Sequence, residues 1–213
     1  MENKIKRIGM CTFGVFVCAV AVGVFKLAAY GVDPFQSLMS GIQTLVPIPF
    51  GTLYLIVNAI LLLFALIADR HYIHIATFIN LFLLGYIVDF SYNLLMGMFP
   101  NLDPVGRMIA LVIGVVTLCF GSSFYFVADL GVSTYDAISL IISKTWKLMP
   151  FKYCRIISDV ICVLIACALF AISGNINLLW ASVGIGTIIT AFFMGPLIDF
   201  FVRKVASPFL NGK

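Results

Sequence analysis

Residues 31–38 read GVDPFQSL and residues 131–138 read GVSTYDAI, so the chain spells nearly the same polar motif twice, one hundred residues apart. Each copy offers groups that can hold a small molecule. Asp33 and Asp136 supply carboxylates, Gln36 an amide and Ser133 a hydroxyl, while Phe35 and Tyr135 supply aromatic faces that can stack on a solute or hold a cation over the ring. Spacing also gives these residues a local task. Asp33 before Pro34 is a helix N-cap with proline at the first helical position and Gln36 at the third. Ser133 with Asp136 three residues later forms the corresponding capping box. In the local reading these side chains satisfy the free amides that begin two short helices; in the functional one they face a solute. A helix N-terminus attracts anions, but the two carboxylates oppose one, so an uncharged or cationic organic solute fits better.

A second set of polar side chains lies inside long apolar runs. Asn58 and Asp159 occupy matched positions, and Asp89 and Asp199 stand near the ends of their runs. Asn80 and Thr190 precede those last two acids by nine residues, about two and a half helical turns. A carboxylate within hydrocarbon costs about 2.5 kcal/mol or more, so each acid needs a partner or a wet cavity. Asp159, five residues into its run, is the best intramembrane acid for titration or cation binding. The competing reading pairs it with Arg155, four residues earlier on the same helix face, as Arg203 would pair with Asp199.

Composition dictates what positions these groups. Of 213 residues 62% are hydrophobic and 10% charged, with a mean hydropathy of +1.14. A soluble domain carries about a quarter charged residues, so most of this surface must face lipid. Crossing the bilayer core takes roughly 20 apolar residues. Six runs qualify: 8–30, 51–68, 75–98, 107–130, 154–173 and 178–202. The opening MENKIKR before the first run resembles a secretory signal, but the run continues past a signal's length and is copied later, so a retained span is expected. Two amphipathic segments sit between the runs. Phe35, Leu38, Met39, Ile42 and Leu45 mark one; Tyr135, Ile138, Ile141 and Ile142 mark the other. A fourteen-residue helix reaches only about 21 Å, too short to span. The expected fold is an all-α membrane protein with six transmembrane helices and two short amphipathic or re-entrant helices.

Several function classes drop out. No nucleotide loop, zinc-protease motif or serine elbow is present, and no long soluble segment offers a place for one, so neither an enzyme nor a cofactor is expected. The net charge of +4 is too small and too dispersed for nucleic-acid binding. Cys11, Cys18, Cys119, Cys154, Cys162 and Cys167 fall in or beside apolar runs without a Cys-x-x-Cys pair, and His71 with His74 is a weak lone pair, so no metal site is expected. Ala19, Gly23, Gly114, Gly121, Ser122, Gly184 and Gly186 are small residues suited to close helix packing.

The duplication extends beyond the opening motifs. Arg7, Gly14, Ala28 and Gly31 match Arg107, Gly114, Ala128 and Gly131 at an offset of 100. Pro49-Phe50 and Asn58 match Pro150-Phe151 and Asp159 at 101, and Gly85-x-x-x-Asp89-Phe90 matches Gly195-x-x-x-Asp199-Phe200 at 110. Two repeats, about 7–98 and 107–204, within one transmembrane domain are expected. Non-crossing short helices give six spans and inverted halves, whereas crossing ones give eight spans and parallel halves. Residues 33–52 contain no Lys or Arg, while 133–155 contain Lys144, Lys147, Lys152 and Arg155, which favours opposite faces and inversion. The Arg7–Arg107 match argues the other way.

The glycine-led GVDPFQSL, the span with Asn58, the GVSTYDAISLI segment and the span with Asp159 resemble the YczE/YyaS/YitT family of bacterial integral membrane proteins, over nearly the whole chain. The YczE-like branch is the nearer, because YitT-like members carry an additional soluble C-terminal domain. Gln36 stands where that family commonly has an acid, while Asp136 keeps it. The resemblance implies a multi-pass protein of the bacterial inner membrane; its members are suggested to be permeases or accessory proteins for natural-product pathways. The leading expectation is a small-molecule transporter with the solute between two repeats and both termini cytoplasmic. The alternatives are a solute-binding subunit that needs an energising partner, or a membrane accessory protein for a biosynthetic pathway. A homodimer is the other protein partner considered, with the lipid bilayer as the constant one.

Overall fold

The computed structural model describes residues 2–211, and every regular element among them is helical. Helix α1 (Glu2–Ala28) is followed by the short α2 (Pro34–Gln43), then α3 (Phe50–Asp69), a 3₁₀ turn (Arg70–Tyr72), α4 (Ile75–Met98) and α5 (Pro104–Ala128). The short α6 (Thr134–Leu140) runs into a π-helical turn (Ile141–Thr145) ahead of α7 (Phe151–Ile172). Six segments are long and apolar enough to cross a membrane, and large side chains such as Ile67, 79% exposed, face outward from them. The chain is a multi-pass helical membrane protein.

One expected boundary is corrected. The run 178–202 is not a single helix: α8 (Ile176–Ser182) ends at Val183 and Gly184, and α9 (Ile185–Phe201) begins afresh before a π-helical turn (Val202–Ala206) and α10 (Ser207–Asn211). Apolar composition hid the break, and another segment of the chain explains it. The loop after α1 crosses here: the amides of Gly31 and Val32 donate to Ala181 O and Ser182 O, both at 3.0 Å, and Gly186 N donates to Tyr30 O at 2.8 Å. Backbone groups released by a broken helix at membrane depth must be satisfied by protein, and this crossing satisfies them. The loop after α5 does the same at the break before α4, where Ala76 N donates to Leu130 O at 2.9 Å and Thr77 Oγ1 to Val132 O at 2.6 Å. Both loops turn at a glycine in the left-handed region, Gly31 at φ 102° and Gly131 at φ 103°, where any Cβ is strained.

Helix α1 forms the centre, packed along α5 and α4, with Val15, Phe25, Leu111 and Val88 fully buried between them. It runs antiparallel to α5: Arg7 Nη1 donates to Ala128 O at one end, at 3.0 Å, and Tyr30 OH reaches Pro104 O at the other, at 3.4 Å. Helix α3 lies against α4 at a glycine contact, because a Cβ on Gly85 would come within 3.0 Å of Gly51 Cα and 2.9 Å of Tyr54 Cβ. Helices α7 and α9 are instead splayed, leaving a groove of about 740 Å³, and a Cβ on Gly195 would meet nothing within 4 Å.

Candidate functional site

The two short helices aim their N-termini at one place. Both N-caps form, but the expected capping box at Ser133 is only half realised: the Asp136 carboxylate accepts from the Ser133 hydroxyl and not from its backbone amide. Asp33 Oδ1 accepts from Gln36 N at 3.2 Å, and Ser133 Oγ accepts from Asp136 N at 3.1 Å while donating to Asp136 Oδ2 at 2.8 Å. Capping uses only part of each polar group, however, and the same residues line a half-open cavity of about 160 Å³. Asp33, Phe35, Gln36, Asn80, Ser133, Tyr135 and Asp136 all line it, so seven of the sequence-derived candidates meet in one space.

Arg155 sits among the acids. Its guanidinium pairs with Asp136 Oδ1 through Nη1 and lies 3.5 Å from Asp159 Oδ2 through Nε. The pairing reading of Asp159 is thereby realised, and the acid also accepts from Tyr135 OH at 2.7 Å. With Asp33 nearby, three carboxylates face one guanidinium, and the cluster carries two net negative charges when all four are ionised. Desolvation by burial raises the Asp33 pKa to about 6, despite the opposing pull of the Gln36 amide and of Arg155. Excess negative charge in a confined space favours a proton or another cation.

The aromatic pair differs from expectation. Phe35 and Tyr135 stack on each other with centroids 4.8 Å apart, and Arg155 lies 4.4 Å over the Tyr135 ring. Tyr135 therefore already has an aromatic neighbour and a protein cation over its ring. Asn58 is not on the cavity surface either. It lies 1% exposed behind it, accepting from Thr134 Oγ1 and donating to Tyr54 O at 2.8 Å, so it locks α6 to α3.

Three candidates fall outside the cluster. Asp89 Oδ2 accepts from Gly51 N at 2.6 Å and satisfies the start of α3. Asp199 is 55% exposed and paired with Arg203 at 2.9 Å, as the alternative reading held. Thr190 donates to Thr187 O in its own helix at 3.0 Å. His71 and His74 do not line the cavity.

Sequence reasoning missed Tyr54 and Tyr125, which look like ordinary members of apolar runs, and took Arg155 only as a neighbour of Asp159. Tyr54 OH donates to Asn80 Oδ1 at 2.9 Å and fixes that wall. Gln36 and Tyr125 line the cavity, and Gln36 Oε1 and Tyr125 OH, both buried, have no hydrogen-bond partner among the described residues. Buried polar atoms without partners are rare and costly, so these two are the clearest indication of a ligand with hydrogen-bonding groups.

The sequence profile of a family of unknown function, DUF6198, matches residues 5–203. The chain belongs to DUF6198. The match takes in α1 through α9 and thus every residue of the cavity in this DUF6198 protein. No curated protein and no solved structure matches the chain.

Proposed function

We propose that this protein is a small-molecule permease of the bacterial inner membrane. Its solute, a neutral or singly cationic organic molecule, binds where the N-termini of α2 and α6 meet. The observation that carries the reading is the cavity of about 160 Å³, lined by Asp33, Gln36, Tyr125, Asp136 and Arg155, with Gln36 Oε1 and Tyr125 OH left without a hydrogen-bond partner among the described residues. An incoming ammonium would share the carboxylates with Arg155, and a donor group would complete Gln36. Structural polar networks close on themselves; this one has open positions.

The chain is read as two inverted repeats, about 7–98 and 107–204. Support comes from the antiparallel course of α1 and α5, from the matched turns at Gly31 and Gly131, and from the reciprocal crossing of each loop through the other half's helix break. Short helices that stop at a central site, with irregular backbone satisfied by the opposite half, are the arrangement that alternating-access transporters use. Lys6 Nζ donates to Leu210 O at 3.1 Å, so both ends of the chain lie at one face, with Arg203 and Lys204 nearby in sequence. That face is assigned to the cytoplasm by its basic residues. The finer family placement is the YczE-like one, on the residues that carry the resemblance.

Uptake of radiolabelled tetramethylammonium and small amines into proteoliposomes tests the reading. Asp136→Asn and Asp159→Asn should each reduce saturable uptake at least tenfold while the protein elutes as a monodisperse species. If both variants transport as the parent does, the site assignment fails.

A further inference from the structure

The groove between α7 and α9 has no place in the solute site described above. Its volume of about 740 Å³ is several times that of the cavity at that site and falls within the range of about 300–1,000 Å³ typical of small-molecule sites. Val160, Val163 and Leu164 form one wall; Ile188, Ala191 and Phe192 form the other. Trp180, 71% exposed, stands at its edge. The fold does not demand this gap, because the matched pair α3 and α4 is closed by Gly51 and Gly85.

One carboxyl group interrupts the apolar lining. Asp159 belongs to the groove wall, and its Oδ1 accepts from Tyr135 OH, whose residue lines the smaller cavity. The side chain of Asp159 is 13% exposed, while Asn58 at the matched position is 1% exposed. A carboxyl group on the wall of a wide apolar groove is therefore linked, through one hydrogen bond to Tyr135, to the acid cluster around the smaller cavity. Asp159 pairs with Arg155 at 3.5 Å, but that guanidinium also pairs with Asp136 and lies near Asp33, so acids outnumber the one base and an anionic headgroup is disfavoured beside them.

We propose that the groove holds the apolar tail of an amphiphilic cation, an alkylammonium compound that enters sideways from the bilayer and places its charged head at Asp159. This rests on the permease reading for what happens after binding, but the groove makes its own claim about what binds. A head at Asp159 lies beside Arg155 and Tyr135, and a tail of ten or so carbons lies along Val163 and Ala191 toward Trp180.

The chain contains two tryptophans, so Trp146→Phe leaves Trp180 as a reporter at the groove. This full-length single-tryptophan protein, in nanodiscs of zwitterionic lipid, is titrated with 12-bromododecyltrimethylammonium, whose bromine quenches tryptophan on contact. Quenching should saturate, and unbrominated dodecyltrimethylammonium should reverse it. The anionic 12-bromododecyl sulfate should be at least tenfold weaker, although the protein's net charge of +4 would by itself favour the anion. Filling the groove with Val163→Phe and Ala191→Phe should weaken the cation at least tenfold while leaving tetramethylammonium uptake within twofold. Equal quenching by the two bromo-amphiphiles overturns the proposal, as does quenching without saturation or a second copy of the chain found covering α7 and α9. If the filled variant does not fold, the competition in the unfilled protein still decides. Saturable, cation-selective quenching in a protein that takes up no tetramethylammonium supports the groove and removes only the transport reading.

Discussion

The pair α3–α4 and the pair α7–α9 are built from matched sequence and end in different states. In the first, Gly51 and Gly85 bring two backbones together, Tyr54 OH reaches Asn80, and Asp89 completes the amide of Gly51 at the start of α3. In the second, the position matched to Gly51 is Lys152, Gly195 faces open space, and Asp199 has turned to Arg203 at the surface. The comparison teaches that three small local features, two glycines and one capping acid, suffice to hold a helix pair shut. Where they are changed or unused, the same architecture leaves a channel to the bilayer. It also explains why Asn58 is a sealed structural residue while Asp159 keeps access to the groove.

The sharpest way to break that comparison is one substitution made at both matched glycines. Gly85→Ala puts a Cβ into the backbone of Gly51 and should cost about 3 kcal/mol, read as a loss of thermal stability or of monodisperse protein in detergent. Gly195→Ala should lie within about 0.5 kcal/mol of the parent. Equal effects would mean that α7 and α9 close in solution. Next come the matched acids. Asp89→Ala removes a charge-assisted bond to a helix-start amide and should cost about 2 kcal/mol, whereas Asp199→Ala loses an exposed pair worth about 0.5 kcal/mol or less. Urea or thermal unfolding of the two variants side by side checks the difference.

A smaller effect concerns pH at the cavity. The folded pKa of Asp33, about 6, lies above the ordinary carboxylate value near 3.8, so between those two values the folded protein binds more protons than the unfolded chain. Stability should therefore be greatest near pH 4, decline as pH rises to about 6, and level off above it. Asp33→Asn keeps the helix cap and should flatten the slope, as melting temperatures from pH 4 to 7 would show. The smallest expected change in stability belongs to Gln36→Leu. Because Gln36 Oε1 has no partner, its removal should cost nothing measurable, within about 0.5 kcal/mol, yet it should abolish the thermal shift that a bound solute produces in the parent.

Much of this was legible in the sequence because its causes are local. The Asp33 and Ser133 caps, the two short helices and the Asp199–Arg203 pair all depend on residues within four positions of one another. The aromatic pair misled, because each ring was considered alone and the partner of each is on another helix. Arg155 was assigned to Asp159 by its spacing, and nothing in that spacing could show that it also reaches Asp136 across to α6. The break at Gly184 was invisible for a similar reason: the segment is uniformly apolar, and the loop at Gly31 that makes the break tolerable arrives from far away in the chain.

Composition and run length determined that lipid is the solvent and that six segments are long and apolar enough to cross it, since a chain with so few charges cannot cover itself with polar groups and backbone amides in hydrocarbon must bond within their own helix. Which acids converge, which polar atoms are left unpartnered, and which of two matched helix pairs stands open were decided only by tertiary structure. Those outcomes turn on distances of an ångström or two between helices, set by whether a particular side chain or none stands at the crossing.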